Sequence, residues 1–244
     1  MLRRRFQALG HETYSCDLLP SEDEGEEMAY ANGLPLGRHL TGDVFDTLDN
    51  LWATDLWPDL AIFHPECTYL TGSAEWAYSD PDYRRYPDVG YHQRLRPGTL
   101  FGEERRVARQ KALDDVRRIM ALPIKRKVIE NPVGAIGTAI RPATQIIQPN
   151  WFGDDASKKT CLWMLDESGN PRPDMRLKRT QRVPGRLVDD GRPQLGLFGT
   201  GVERWGNQTD AGQNKLSPGE DRWKERSRTY PGVADAMARQ WGVY

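Results

Sequence analysis

Cysteine is scarce in this sequence: Cys16, Cys67 and Cys161 are the only three in 244 residues, far apart and without a CxxC pair. That usage argues against a disulfide framework and against a cysteine-built zinc or other metal site, and it fits a reducing cytoplasm. Long hydrophobic runs are also missing. No segment approaches the roughly 20 apolar residues of a membrane span. Arg3, Arg4 and Arg5 near the N-terminus are not followed by the apolar stretch of a signal peptide. Charge of one sign is absent as well, with 34 basic against 35 acidic side chains and a net charge of -1. No global field therefore draws the chain onto nucleic acid. No internal repeat is visible.

What is present is enough for a substantial folded core. Hydrophobic residues make up 38% and charged residues 28%, with a mean hydropathy of -0.72. This is polar but within the range of folded proteins, and predicts one compact α/β core carrying long polar loops. Charge is uneven along the chain. Residues 21–27 hold five acidic and no basic side chains, and residues 172–192 hold seven basic against three acidic. A charge run is most often a solvated loop, but a local basic face is also what phosphate contact requires.

Leu2, Phe6 and Leu9 share one face of a short helix over 2–10 that Gly10 can cap. A strand is expected at 13–16, ending at Asp17, and a helix at 44–52 after Gly42-Asp43. Leu60-Ala-Ile-Phe63 is a continuous apolar run of the kind a buried parallel strand requires, and it ends at His64-Pro65-Glu66-Cys67-Thr68. Residues 72–102 read as a long loop. The strongest helix spans 103–122, with Ala108, Ala112, Val116, Ile119 and Met120 on one face and Pro123 as its stop. Lys127-Val-Ile129 reads as a strand running into Glu130-Asn131-Pro132, and 145–147 and 160–165 as two more. Residues 166–230 show little periodicity, and 233–241 close with a helix. Strands alternating with helices predict a doubly wound, mostly parallel sheet, whose ligands sit at the carboxyl ends of strands. The expected organisation is an α/β core over 1–165, a loop-rich basic region over 166–230 that contacts substrate, and a C-terminal helix over 231–244 packing on the core.

Two strand ends carry chemistry. Cys67 follows a buried strand by a short turn, which exposes a side chain at a cleft floor. A thiolate there is a candidate nucleophile, although a free cysteine is more often a small buried hydrophobe. Glu130 ends another strand, with Pro132 restricting the backbone of Asn131. A carboxyl at such a place can hand a proton to a ring nitrogen, or can simply be an ion-paired or capping glutamate.

Together, Pro65-Glu66-Cys67 and Glu130-Asn131-Pro132, in that order, resemble the core of DNA cytosine-5 methyltransferases. There one strand ends in a Pro-Cys turn and a later strand in Glu-Asn-Val. A group of phage-encoded methyltransferase-like proteins is similar over nearly the whole chain. That similarity includes 15–20, 42–44, 64–70, 130–132, 157–163, 207–215 and 222–230. The resemblance implies a Rossmann-like core that uses S-adenosylmethionine on a flipped cytosine of DNA or of a nucleotide, in a host-cell cytoplasm. In the mechanism it implies, Cys67 attacks C6 while Glu130 steadies or protonates N3. It also implies cofactor contacts at Asp17, Asp43 and Pro65, and substrate contacts at Asn131, Lys158, Lys159, Asn207, Gln213 and Lys215. Phe152-Gly153 resembles a block that supports the flipped base.

The chain departs from that pattern in three ways. It begins at the helix that follows the family's first strand and cofactor loop, so either the start lies too far downstream or cofactor binding has been lost. Glu66 stands where the phage group usually has a second proline. A separate target-recognition domain is not recognisable, so sequence specificity is expected either to be low or to be supplied by a protein partner. The rival reading is an inactive relative that binds DNA or a protein partner. An amino-methylating enzyme, with an Asn/Asp-Pro-Pro-aromatic turn, fits His64-Pro65-Glu66-Cys67 less well.

Overall fold

The computed structural model describes residues 2–21, 29–31, 34–36, 38–72, 75–79, 100–189, 201–216 and 222–243. The acidic run at 22–27 and most of the long loop expected at 72–102 lie outside the described residues. The chain divides into two compact units that interleave in sequence. One comprises residues 1–58, 148–158 and 177–244; the other comprises 59–147 and 159–176. The structure is mixed α/β, with one four-stranded mixed sheet and several two-stranded ones. Among the described residues no helix is long and apolar enough to cross a membrane.

The four-stranded sheet belongs to the second unit. Its strands are β5 (Leu60–Phe63), β6 (Arg126–Pro132), β7 (Gln145–Ile147) and β8 (Thr160–Leu165), in the order β5-β6-β8-β7. β5 and β6 are parallel, while β8 runs antiparallel to both β6 and β7. The sheet is therefore mixed rather than mostly parallel. The reason is the length of the connections. Residues 64–125 include helix α3 (Gly102–Ala121), which provides the long crossover that parallel neighbours need. The segments on either side of β7 carry no helix longer than α4 (Ala135–Ala139), so the chain turns back on itself.

All six residues of β8 are buried, as its unbroken apolar run Thr160-Cys-Leu-Trp-Met-Leu165 requires of a strand covered on both faces. Trp163 is fully buried, and its indole N–H donates to the Arg141 carbonyl at 2.8 Å, so its polar end is not stranded. α3 buries Leu113, Val116, Ile119 and Met120 along one stripe. Past its C-terminus, the second residue of β6 is Lys127, which is completely buried. The Lys127 ammonium donates to the Met120 carbonyl at 2.7 Å and to that of Leu122. It thus satisfies helix-end acceptors that would otherwise lack partners. Burial pushes its pKa below the ordinary lysine value.

The first unit carries α1 (Leu2–Gln7), β1 (Ser15–Asp17), β4 (His39–Thr41), α2 (Val44–Ala53), β9 (Arg186–Asp189), β10 (Gly201–Arg204), α5 (Arg222–Ser227) and α6 (Pro231–Trp241), with β2 (Ala29–Ala31) and β3 (Leu34–Leu36) as a small antiparallel pair. β1 and β4 are parallel, with Asp17 opposite Thr41. His39 on β4 is buried. Its Nε2 lies 2.9 Å from the Leu19 carbonyl and must donate there, which leaves Nδ1 to accept from the Ser15 hydroxyl at 2.9 Å. α6 packs on α1, where Arg5 and Asp235 pair at 3.3 Å. Asp154 receives the Gly232 N–H in the first turn of α6. The antiparallel hairpin β9–β10 falls within 166–230, where sequence periodicity predicted no element.

Leu162, at the centre of β8, is fully buried. Leu162→Ala should lower unfolding stability by about 2–5 kcal/mol, read as a drop in the urea midpoint with the slope unchanged.

Candidate functional site

β5 and β6 stay in register up to Phe63 opposite Ile129. There β5 leaves the sheet into His64-Pro65-Glu66-Cys67, while β6 continues through Glu130, Asn131 and Pro132, paired with Leu162, Cys161 and Thr160 of β8. Glu130 and Asn131 thus lie inside the strand rather than just beyond it. The ladder with β8 holds their backbone rigid while the β5 side is released.

The two strand ends are tied together. The Asn131 side-chain amide donates to the Pro65 carbonyl at 2.9 Å. The Ala135 N–H donates to the Leu70 carbonyl at 2.7 Å, and the Gly72 N–H to that of Val133 at 3.2 Å. Thr71 bridges Gly134. Only glycine fits at 134: a Cβ there would stand 1.9 Å from the Leu70 carbonyl oxygen. The turn itself closes when the Leu70 and Thr71 N–H groups both donate to the Cys67 carbonyl, and Leu70 is fully buried beneath it.

Helix α3 clamps the other side of this turn. Arg105 is buried, and its guanidinium donates to the Thr68 carbonyl at 3.1 Å and to that of Leu100 at 3.2 Å. One turn later, Arg109 donates to the Tyr69 carbonyl at 2.9 Å and pairs with Glu75 at 2.7 Å. The Tyr78 ring lies under both guanidinium groups, 3.4 Å from that of Arg109, and its hydroxyl donates to the Tyr69 carbonyl. Sequence reasoning missed both arginines. The available signal was their spacing: positions 105 and 109 fall on the same helical face as Ala112 and Val116, so two cations sat on the stripe read as apolar.

Cys67 is the exposed cysteine of the three. Burial pushes the thiols of Cys16 and Cys161 up, which disfavours their thiolates. Glu66 beside Cys67 is exposed too. Glu130 is 8% exposed and Asn131 2%. The carboxyl oxygen Oε2 of Glu130 and the amide oxygen Oδ1 of Asn131 are buried without a hydrogen-bond partner. His64 Nδ1 lies 3.6 Å from Glu130 Oε2, within ion-pair reach but beyond a hydrogen bond. Buried acceptors left open are uncommon and call for an explanation. Polar donors of a bound ligand would supply one.

No protein-family model, curated protein or solved structure matches the chain.

The remaining expected site residues divide between free and engaged. Asp17 ends β1 and Asp43 follows β4, so both stand at the carboxyl ends of neighbouring parallel strands; the Gly42 N–H donates to the Asp17 carbonyl at 2.9 Å. Both side chains do local work: Asp17 accepts from Leu19 N–H at 3.0 Å, and Asp43 caps α2 through Phe45 N–H at 2.8 Å. Lys158 is half-buried, its ammonium donating to the Arg226 carbonyl at 2.8 Å at the surface, whereas Lys159 is exposed. Asn207 is engaged throughout, exchanging hydrogen bonds with the Ser157 backbone at 2.9 and 3.0 Å and donating to Tyr230. Their geometry gives Lys158 and Asn207 structural work inside the first unit. Gln213 and Lys215 are exposed. Phe152 is buried, and Gly153 adopts a positive φ of 97°.

Gly134→Ala should open the clamp between the two loops. The expected result is a loss of about 1–3 kcal/mol, the usual range for overpacking, together with faster hydrogen exchange at the Ala135 amide while the amides of β8 keep their protection.

Proposed function

We propose that this chain is a DNA cytosine-5 methyltransferase-like protein, using Cys67 as nucleophile and Glu130 as the group that holds the ring nitrogen. The observation that carries the reading is the pair of open, buried acceptors on Glu130 and Asn131, clamped beside the turn that exposes Cys67. A cytosine edge offers amino hydrogens that match open oxygens of this kind. The order Pro65-Glu66-Cys67 before Glu130-Asn131-Pro132 is that of the family, and the two motifs end adjacent parallel strands. In the same reading the mixed α/β architecture is a variant of a Rossmann-like doubly wound core.

Cysteine attack serves a specific need, because C5 of cytosine is a weak nucleophile. Addition of the Cys67 thiolate to C6 forms a carbon–sulfur bond and pushes an electron pair toward N3, where Glu130 holds or supplies the proton. C5 thereby gains electron density. When bound, S-adenosylmethionine would supply the methyl group, with Asp17 and Asp43 at the ends of β1 and β4 as its expected contacts. Loss of the C5 proton then restores the double bond and releases the Cys67 sulfur. Arg105 and Arg109 position the turn by holding the carbonyls of residues 68 and 69. Asn131 anchors the Pro65 carbonyl.

Mass spectrometry of nucleosides from DNA of cells expressing the chain tests the reading. 5-Methylcytosine is expected with the native sequence and is abolished by Cys67→Ser, while Glu130→Gln lowers it by roughly 100-fold or more. Full activity of Cys67→Ser would sink the C6-addition mechanism. Absence of 5-methylcytosine and of any S-adenosylmethionine binding, in this chain and in one extended upstream, would leave the inactive DNA-binding relative as the answer.

A further inference from the structure

Outside the Cys67 turn, the first unit holds a cavity of about 490 Å³ lined by Asp155, Arg186, Arg204, Trp205, Gly206 and Lys215, together with residues 183–185. It forms where hairpin β9–β10 meets the turn at 205–215. Its volume falls within the roughly 300–1,000 Å³ of small-ligand sites.

Three cations gather around Asp210, one of them in contact with its carboxylate. Arg186 pairs with Asp210 at 2.5 Å, and Arg204 Nε donates to the Asp210 backbone carbonyl at 3.0 Å. The hydrogen bond and charge of Arg186, with the charges of Lys215 and Arg204, hold the Asp210 carboxyl below its ordinary range. Asp210 is exposed, so it is an anion held by the cluster at the surface rather than part of a buried ion pair. Asp155 is fixed on the wall, where its carboxylate accepts the Gly206 N–H at 2.9 Å. Arg182, nearby in sequence, is neutralised by Glu203 at 2.6 Å. Arg186, Arg204 and Lys215 therefore outnumber the two carboxylates beside them, those of Asp155 and Asp210. Trp205 lines the same space, fixed by its indole N–H donating to the Val183 carbonyl at 3.1 Å.

We propose that this cavity binds one nucleotide of a single-stranded DNA segment, its phosphate held by Arg186, Arg204 and Lys215 and its base against Trp205. A phosphate displaces Asp210 from Arg186 and offers more acceptor oxygens in its place. A base against an indole adds stacking that does not depend on sequence. Binding of this kind needs an unpaired base, as a strand opened around a flipped nucleotide provides. The inference rests on the DNA reading above and assigns that reading a strand-holding site separate from its chemistry.

Fluorescence anisotropy of a labelled single-stranded oligodeoxynucleotide tests it. Lys215→Gln and Arg186→Gln should each weaken binding by roughly tenfold and each lower the slope of log affinity against log salt by about 0.7. Asp210→Asn should tighten binding, because it removes the competing carboxylate. That result also guards against misfolding, since a merely damaged hairpin would bind worse. Unchanged affinity in the two cation variants, or weaker binding by Asp210→Asn, overturns the proposal. So does inorganic phosphate competing as well as a deoxynucleotide, which reduces the site to a generic anion hole. The outcome separates from that of the methyltransferase reading. Methylation by a chain whose cation variants bind like the native protein removes this site alone. Cation-dependent binding with no methylation under any condition removes the chemistry alone.

Discussion

The clamp between the loop after β5 and the end of β6 is the constraint on which the candidate site depends. It is built mainly from backbone groups: the carbonyls of Pro65, Leu70 and Val133 and the N–H groups of Gly72 and Ala135. Such a clamp fixes two chain segments without consuming the side chains that do chemistry. Glycine at 134 allows the approach, since a Cβ there would collide with the Leu70 carbonyl oxygen. The result is a turn that holds Cys67 outward above a fully buried Leu70.

Rigidity in that turn comes from both sides. β8 holds β6 by a full antiparallel ladder with every residue of β8 buried. α3 contributes guanidinium groups that bind carbonyls of the turn and lie over the Tyr78 ring. A buried guanidinium is costly unless its donors are used. Arg105 uses both terminal nitrogens on two carbonyls while its Nε is left without a partner, and its charge is steadied by the Tyr69 and Tyr78 rings. Preorganisation of this kind is what a nucleophile needs, because the reacting atom must stay in place while its partner binds.

The two units use polar groups in different ways. In the second, buried acceptors on Glu130 and Asn131 are left open beside an exposed thiol. In the first, Lys158 and Asn207, two of the four polar groups expected there to face substrate, instead hold segments distant in sequence, while Gln213 and Lys215 are exposed. Lys158 reaches the carbonyl of Arg226, and Asn207 pairs with Ser157. Residues 148–158 thereby anchor the C-terminal region, and Lys215 stays exposed where the β9–β10 hairpin meets the 205–215 turn.

The sequence alone determined the elements whose signal is local. The apolar run at 60–63, the helix after Gly42-Asp43, the helix ended by Pro123 and the strand at 160–165 all lie where local patterning puts them, because hydrophobic period and end residues act over a few positions. The order of Cys67 and Glu130 was legible for the same reason. Tertiary structure decided the rest. The antiparallel setting of β8 and the hairpin hidden in a stretch without periodicity depend on strand partners well beyond the reach of local periodicity, and the anchoring bonds of Lys158 and Asn207 reach partners 50 or more residues away. So does the Asn131–Pro65 bond, which joins residues 66 positions apart. No local pattern encodes such pairings, since a polar side chain in a loop looks the same in sequence whether it meets solvent, a carbonyl or a ligand.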